Sequence, residues 1–300
     1  MKNISKNALK ILFLIILCYG VYLFNTDSPK STKKEIIPVS GDILDIYFFD
    51  VGEADSTLIR YKDYNILIDA GNTVDGVLLV PYLKELGIEH FDSLFVTHAH
   101  EDHIGGMSRV VYNFSFDHLY MPDHVAEWKS YQNLMKALER KEKRFEVPSI
   151  HQVFTFDDLT LTVLSITDTE DYNENSIVLK LDYFNTHYLL MGDATDDIER
   201  SILDDDLASD VLKVGHHGSK YSSSVTFLEK VHPEYAIISC AEGNEYGHPH
   251  KVVLDKLNYL NTTIYRTDTH HTIHLISDGD TIISFDFINR SFNGGDLGDS

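Results

Sequence analysis

Residues 98–103 read His-Ala-His-Glu-Asp-His, three imidazoles and two carboxylates within six positions. So many charges and lone pairs in one loop need a compensating cation, and these donor types are the ones divalent transition metals accept. His98 and His100 are two apart, which in extended backbone sends both side chains the same way. Asp102 and His103 follow and can address a second point nearby. The loop therefore suits two ions about 3.5–4 Å apart, sharing a bridging hydroxide. Imidazole and carboxylate without thiolate fit Zn²⁺, Mn²⁺ or Fe²⁺, with zinc preferred. Such ions lower the pKa of bound water toward about 7 and so supply a nucleophile at neutral pH.

The elements around this loop must hold it at an edge. An apolar run, "SLFVT" (93–97), reads as a buried strand that delivers His98, and Gly105 and Gly106 are expected to let the backbone turn sharply into a helix. Upstream, 43–49, 56–61 and 65–71 have strand character, and 77–87 has helical spacing with Gly87 as its stop. Downstream, strands are expected at 117–121, 150–154, 159–164, 176–183, 187–191, 210–215, 235–240, 263–266, 272–277 and 281–285. Helices are expected near 125–144, 195–204, 222–230 and 248–260. Strand runs in each half, joined by helices, predict two packed mixed sheets with helices on the outer faces.

The H-x-H-x-D-H pattern of His98, His100, Asp102 and His103 resembles the signature of the metallo-β-lactamase superfamily. Further blocks, "FFDVGEADSTLI" (48–59), "NILIDAGN" (65–72), "NSIVLKLDYFNTHYLLMGDAT" (175–195), "SDVLKVGHHGSKYSSS" (209–224) and "YGHPHKVVLDKL" (246–257), resemble the hydrolase domain of the competence protein ComEC and its free-standing relatives. The resemblance covers roughly 42–286 and implies an αββα sandwich with metals at the top edge between the sheets. It implies that Asp193, in "MGDA", bridges both ions. Of His216 and His217, one completes a metal shell, with His217 the preferred ligand, and the other sits beside the attacked group as donor or acid. His248 is read as substrate-facing, or as an alternative final ligand. Asp55, Asp69 and His250 are read as orienting groups behind the ligands.

One departure is visible. Many superfamily hydrolases carry a further ligand histidine in a Gly-His-Thr setting, and none of His118, His124, His151 and His187 has that context. The second ion is thereby left with fewer ligands. Redox members of the superfamily resemble this motif but place a carboxylate where His100 stands, so the resemblance implies hydrolysis.

The chemistry expected is attack on phosphorus or a carbonyl, with Asp102, His216 and His248 as catalytic groups. Phosphodiesters lead, of the nuclease or phosphorylcholine-esterase type, with Lys213 and Lys220 as a small cationic rim that binds one phosphate. Small amides, lactams or lactones are the alternative substrates, and a metal-stabilised non-catalytic module is the third reading. The formal net charge of −22 disfavours long duplex nucleic acid as a partner, which needs clustered Lys and Arg. Cys18 and Cys240 are the only cysteines, which excludes a disulfide framework and a cysteine-rich metal site.

At the N-terminus, Lys2, Lys6 and Lys10 lead into an uncharged apolar stretch, and 8–24 is just long enough to cross a bilayer. Residues 1–25 are read as an uncleaved anchor, or second as a cleaved signal, with 26–41 as a polar tether. The catalytic part, 42–288, is thus expected outside the cytoplasm, membrane-anchored or secreted. The Gly-rich tail 289–300 is expected to fray.

Overall fold

The computed structural model describes residues 42–294. The anchor and tether expected over 1–41 lie outside the described residues. Within them, no helix is long and apolar enough to cross a membrane.

Two seven-stranded sheets form the domain. The first runs, in spatial order, β14 (Ile282–Ile288), β13 (Thr272–Ser277), β1 (Leu44–Phe48), β2 (Thr57–Tyr61), β3 (Tyr64–Ile68), β4 (His90–Phe95) and β5 (Ser115–Tyr120). The second runs β12 (Thr263–Arg266), β11 (Tyr235–Ile238), β10 (Val211–Lys213), β9 (Thr186–Leu190), β8 (Val178–Tyr183), β7 (Leu159–Ser165) and β6 (Val153–Phe156). Strands β3 to β5 pair in parallel, as do β9 to β12.

Strand alternation builds the layers. In β3, Ile66 and Ile68 enter the core between the sheets while Leu67 points to the outer layer. In β9, Tyr188 and Leu190 point inward and Leu189 outward. Outside the first sheet lie α1 (Gly76–Glu85), α2 (Glu101–Ile104), α3 (Met107–Asn113) and α4 (Lys129–Arg140). Leu79, Leu83, Val110 and Leu134 pack there against Leu67, Leu94 and Leu119. On the second sheet, α5 (Asp196–Ser201), α6 (Val225–Val231) and α7 (Lys251–Tyr259) bury Ile198, Phe227, Leu228, Val253 and Leu257. A short α8 (Thr267–His270) follows β12. Each such side chain removed from water contributes about 1.5–3 kcal/mol. The αββα expectation holds.

Two differences bear on function. Strand β4 stops at Phe95 and β10 at Lys213, short of the expected 97 and 215, so the chemistry-bearing residues sit beyond the sheet edge, on loops, in the short α2 and in a 3-10 turn at Gly215–Gly218. The tail is not frayed over 289–294. Phe292 is 1% exposed and packs on Phe49 and Tyr82, Arg290 pairs with Glu85, and the Gly294 N–H donates to Asp75 Oδ1 at 2.7 Å. One aromatic, an ion pair and backbone hydrogen bonds together dock this polar stretch.

Candidate metal centre

Parallel strands β4, β9, β10 and β11 deliver four loops to one edge, the region outside strand C-termini where sheets of this kind form their sites. Backbone bonds strap the histidine loop to the turns beside it: Asp55 N–H to Asp102 O at 3.0 Å, Ala70 N–H to His103 O at 2.9 Å, and Gly106 N–H to Gly71 O at 3.0 Å. This contact explains the glycine pair. Both glycines have ordinary helical φ, so a sharp turn is not their role. A Cβ on Gly106 would lie 2.1 Å from Ala70 O, and one on Gly105 would lie 2.3 Å from Thr73 N. Only a bare backbone permits the strap.

Six side chains converge as two clusters that share Asp193. In one, His98 Nε2 faces His100 Nδ1 at 3.0 Å and Asp193 Oδ2 at 3.9 Å. In the other, His103 Nε2 and His217 Nε2 lie 3.3 and 3.5 Å from Asp193 Oδ1, and 3.6 and 3.3 Å from Asp102 Oδ2. Those spacings match the ~3.3 Å edge of a tetrahedron whose centre lies about 2.0–2.1 Å from each ligand atom. His103 Nε2, His217 Nε2 and Asp193 Oδ1 are buried without a hydrogen-bond partner. Orphaned lone pairs aimed at one point are costly unless a cation fills it. The residues fit a divalent metal centre.

Electrostatics agree. Burial opposes charge on His217, yet Asp193 and Asp102 raise its pKa to about 9. Burial likewise opposes charge on His103, but Asp193, Asp102 and Asp69 hold it well above the usual value. Burial works against the Asp193 carboxylate too, and His103 and His217 outweigh it and hold its pKa far down. His98, governed first by burial, is pushed well below 6.5. The metal-free pocket thus keeps protons where cationic charge is needed, and binding a metal releases them.

His98, His100, Asp102, His103, Asp193 and His217 come together, and His217 rather than His216 joins the second cluster. His216 Nε2 stands 3.9 Å from Asp193 Oδ2 and its side chain lines the cavity. Both histidines hold left-handed backbone, φ 50° and 52°, a strain of about 1–3 kcal/mol each. His248 belongs to neither cluster and faces the cavity. His250 packs beside it, ring centroids 5.1 Å apart. Asp69 orients His103, accepting from its Nδ1 at 2.8 Å and from the Thr97 N–H and hydroxyl.

Three assignments need correction. Lys213 is 3% exposed and pairs with Asp55 at 2.8 Å, so it is no part of a substrate rim. Strand alternation puts it on the same side as Val211, facing the inter-sheet layer, where an ammonium requires a counter-charge. Asp55 is thereby engaged with Lys213 and does not orient a ligand. His217 Nδ1 donates instead to Ser239 O at 3.0 Å. Lys220 lies outside the cavity lining, its ammonium over the Tyr221 ring.

Sequence reading missed Glu53, whose Oε1 holds His248 Nδ1 at 2.7 Å while Oε2 accepts from the Ala241 N–H. Its signal was present: "DVGEAD" (50–55) places three acids in one turn, more than capping requires. Of two further residues in the cavity wall, Trp128 carried no pattern, and Tyr246 opens the block "YGHPHKVVLDKL" without being read as a site residue.

Asp69 supports a direct test. All three of its partners can donate, so the amide of Asp69→Asn must turn its NH₂ toward a donor. Zinc affinity, measured by competition with a chromogenic chelator, is expected to fall about 10–100-fold. An unchanged affinity would refute the orienting role.

The family profile described as Metallo-beta-lactamase superfamily matches residues 49–242. ComE operon protein 3 from Bacillus subtilis (strain 168) is 29% identical over 251 residues, covering 76% of this chain and 32% of that protein. Recombination protein 2 from Haemophilus influenzae is 29% identical over 276 residues, covering 89% of this chain and 32% of that protein. Both are competence proteins of the ComEC type, and this chain spans about a third of their length. Among solved structures, the metallo-beta-lactamase fold protein YhfI from Bacillus subtilis aligns with TM-score 0.54 and 12% identity, over 77% of this chain and 99% of that one. That likeness is one of fold.

Proposed function

The chain belongs to the metallo-beta-lactamase superfamily and carries a metallo-hydrolase domain, and from that premise we propose that it hydrolyses phosphodiesters outside the cytoplasm. When bound, the two ions supply Lewis acidity and water activated at neutral pH. Asp193 spans both clusters and holds them in register. Asp69, through His103, and the Ser239 carbonyl, through His217, fix ligand rings so that their Nε2 atoms converge.

The observation that carries the reading is His248. It lines the cavity, stands outside both clusters, and is held through Nδ1 by Glu53, which leaves Nε2 to serve a substrate. An alkoxide leaving a phosphodiester needs a proton, and an oriented imidazole beside the centre can deliver it. Burial lowers the His216 pKa, which makes it the weaker candidate for delivering that proton. Acyl substrates such as small lactams remain the second reading, because the cavity lining holds no lysine or arginine to demand a phosphate. A non-catalytic module is disfavoured by two donor clusters, of four and three residues, opening on one cavity. Export is supported by Lys2, Lys6 and Lys10 ahead of the uncharged apolar stretch 11–24.

The test uses purified protein loaded with Zn²⁺ or Mn²⁺, offered bis-p-nitrophenyl phosphate, single-stranded DNA and nitrocefin. Diester turnover is expected, with little on nitrocefin; the reverse result overturns the reading. His248→Ala is expected to keep its metal and to slow an alkyl diester at least about a hundredfold. A p-nitrophenyl diester, whose leaving group needs no proton, should be slowed only slightly. Equal losses on both would deny His248 the acid role.

A further inference from the structure

The cavity over the metal centre encloses about 350 Å³, and its lining contains groups that neither metal cluster requires. Trp128 is 44% exposed and Tyr246 is 66% exposed, and both stand in its wall. Exposed rings are scattered over this surface, but these two line one acidic cavity, which points to a ligand with which they pair. Trp128 is held in place by Tyr172, ring centroids 5.5 Å apart, and by His100 at 6.5 Å. Tyr246 stacks on His248, centroids 5.6 Å apart and 17° from parallel.

The charges of the lining are one-sided. Glu53, Glu101, Asp102 and Asp193 are all acids, and no lysine or arginine joins them. Asp102 and Asp193 face the metal clusters; Glu53, which accepts from His248 and the Ala241 N–H, and Glu101, which accepts from the Thr73 N–H, stand outside both clusters and add negative field around the aromatic rings. Aromatic faces attract cations, and nearby carboxylates strengthen that attraction. A polyanionic chain would meet the same acids without the cations that nucleic-acid grooves supply.

We propose that Trp128 and Tyr246, with Glu53 and Glu101, bind an organic ammonium group. The phosphodiester cleaved is then one esterified to an amino-alcohol, with the ammonium end seated on the rings and the phosphorus over the metals. This rests on the phosphodiesterase reading and narrows it to a substrate class. The cavity discriminates by charge rather than by shape alone: a neutral group of equal size gains apolar contact but no cation–π or Coulombic attraction.

Trp128 is the chain's single tryptophan, so its fluorescence reports on this wall directly. The full chain, loaded with Zn²⁺, is titrated with choline chloride, with its uncharged isostere 3,3-dimethylbutan-1-ol, and with thymidine, at matched ionic strength. A saturable response to choline is expected, with the isostere and the nucleoside weaker. Tyr246→Ala is expected to weaken choline about threefold to thirtyfold with the reporter intact. Trp128→Ala, followed by calorimetry, should weaken it by a similar factor while metal content stays that of the parent. The proposal is overturned if choline gives neither a fluorescence change nor heat, if the isostere matches it, or if thymidine binds more tightly. Turnover of bis-p-nitrophenyl phosphate by the same preparation separates the two readings. Turnover without choline binding removes the ammonium site alone, and choline binding without any diester turnover removes the phosphodiesterase reading and leaves the ammonium site standing.

Discussion

Asp193→Ala is expected to strip the domain of both metals and to reduce turnover at least about a thousandfold, the upper scale for losing a group that stabilises transition-state charge. The reason is its shared position: Oδ2 faces His98, and Oδ1 lies between His103 and His217. No other described residue belongs to both the His98–His100 cluster and the Asp102–His103–His217 cluster. His98→Ala makes the contrast. It removes a donor from one cluster and should leave about half the metal of the parent. Elemental analysis after gel filtration, with circular dichroism to confirm folding, reads the difference. Full metal retention in Asp193→Ala would show that the clusters are independent and that the bridge is not one.

The largest stability effect is expected from Lys213→Ala. The ammonium and the Asp55 carboxylate are both buried, 2.8 Å apart between the sheets. Burial alone would raise the Asp55 pKa, but Lys213, His217 and His103 outweigh it and hold the group charged. Removing the lysine leaves a buried carboxylate without its partner, which costs about 3–5 kcal/mol. For a domain of this size that lowers Tm by roughly 6–20 °C. The double variant Lys213→Met, Asp55→Leu should regain most of the loss, because an apolar pair of similar volume is often as stable as a buried ion pair. A single variant that melts with the parent would show the pair to be dispensable.

What could be read from the sequence follows from how far apart the cooperating residues lie. His98, His100, Asp102 and His103 share one loop, so their types and spacing announced a metal before any fold was known. Asp193 and His217 come from other strand ends far along the chain, and only the resemblance to a family joined them to the loop. The strands themselves were legible because apolar alternation is a local property. Depth was not: the pattern around Lys213 shows which face it takes but not that the face is dry, and a buried cation was read as a rim. Glu53, Trp128 and Tyr246 sit on turns whose placement depends on both sheets, and no periodicity marks them. Phe292 was hidden by the glycine and serine around it.

The metal centre joins more than two clusters. His98, His100, Asp102 and His103 leave the first sheet, while Asp193 and His217 leave the second. An ion held by Asp102 and Asp193 ties chain positions about ninety residues apart, as a covalent cross-link would. Among the described residues Cys240 is the sole cysteine, buried and free, so no disulfide performs that service. Unlike a covalent cross-link, the ion finds its ligands assembled only in the folded chain, so it stabilises that state by mass action. Ion-binding free energy is then folding free energy. Starvation for divalent ions would therefore do more than idle the enzyme. It would loosen the seam between the sheets and expose the chain to proteases, so that catalytic capacity and lifetime rise and fall on one ligand.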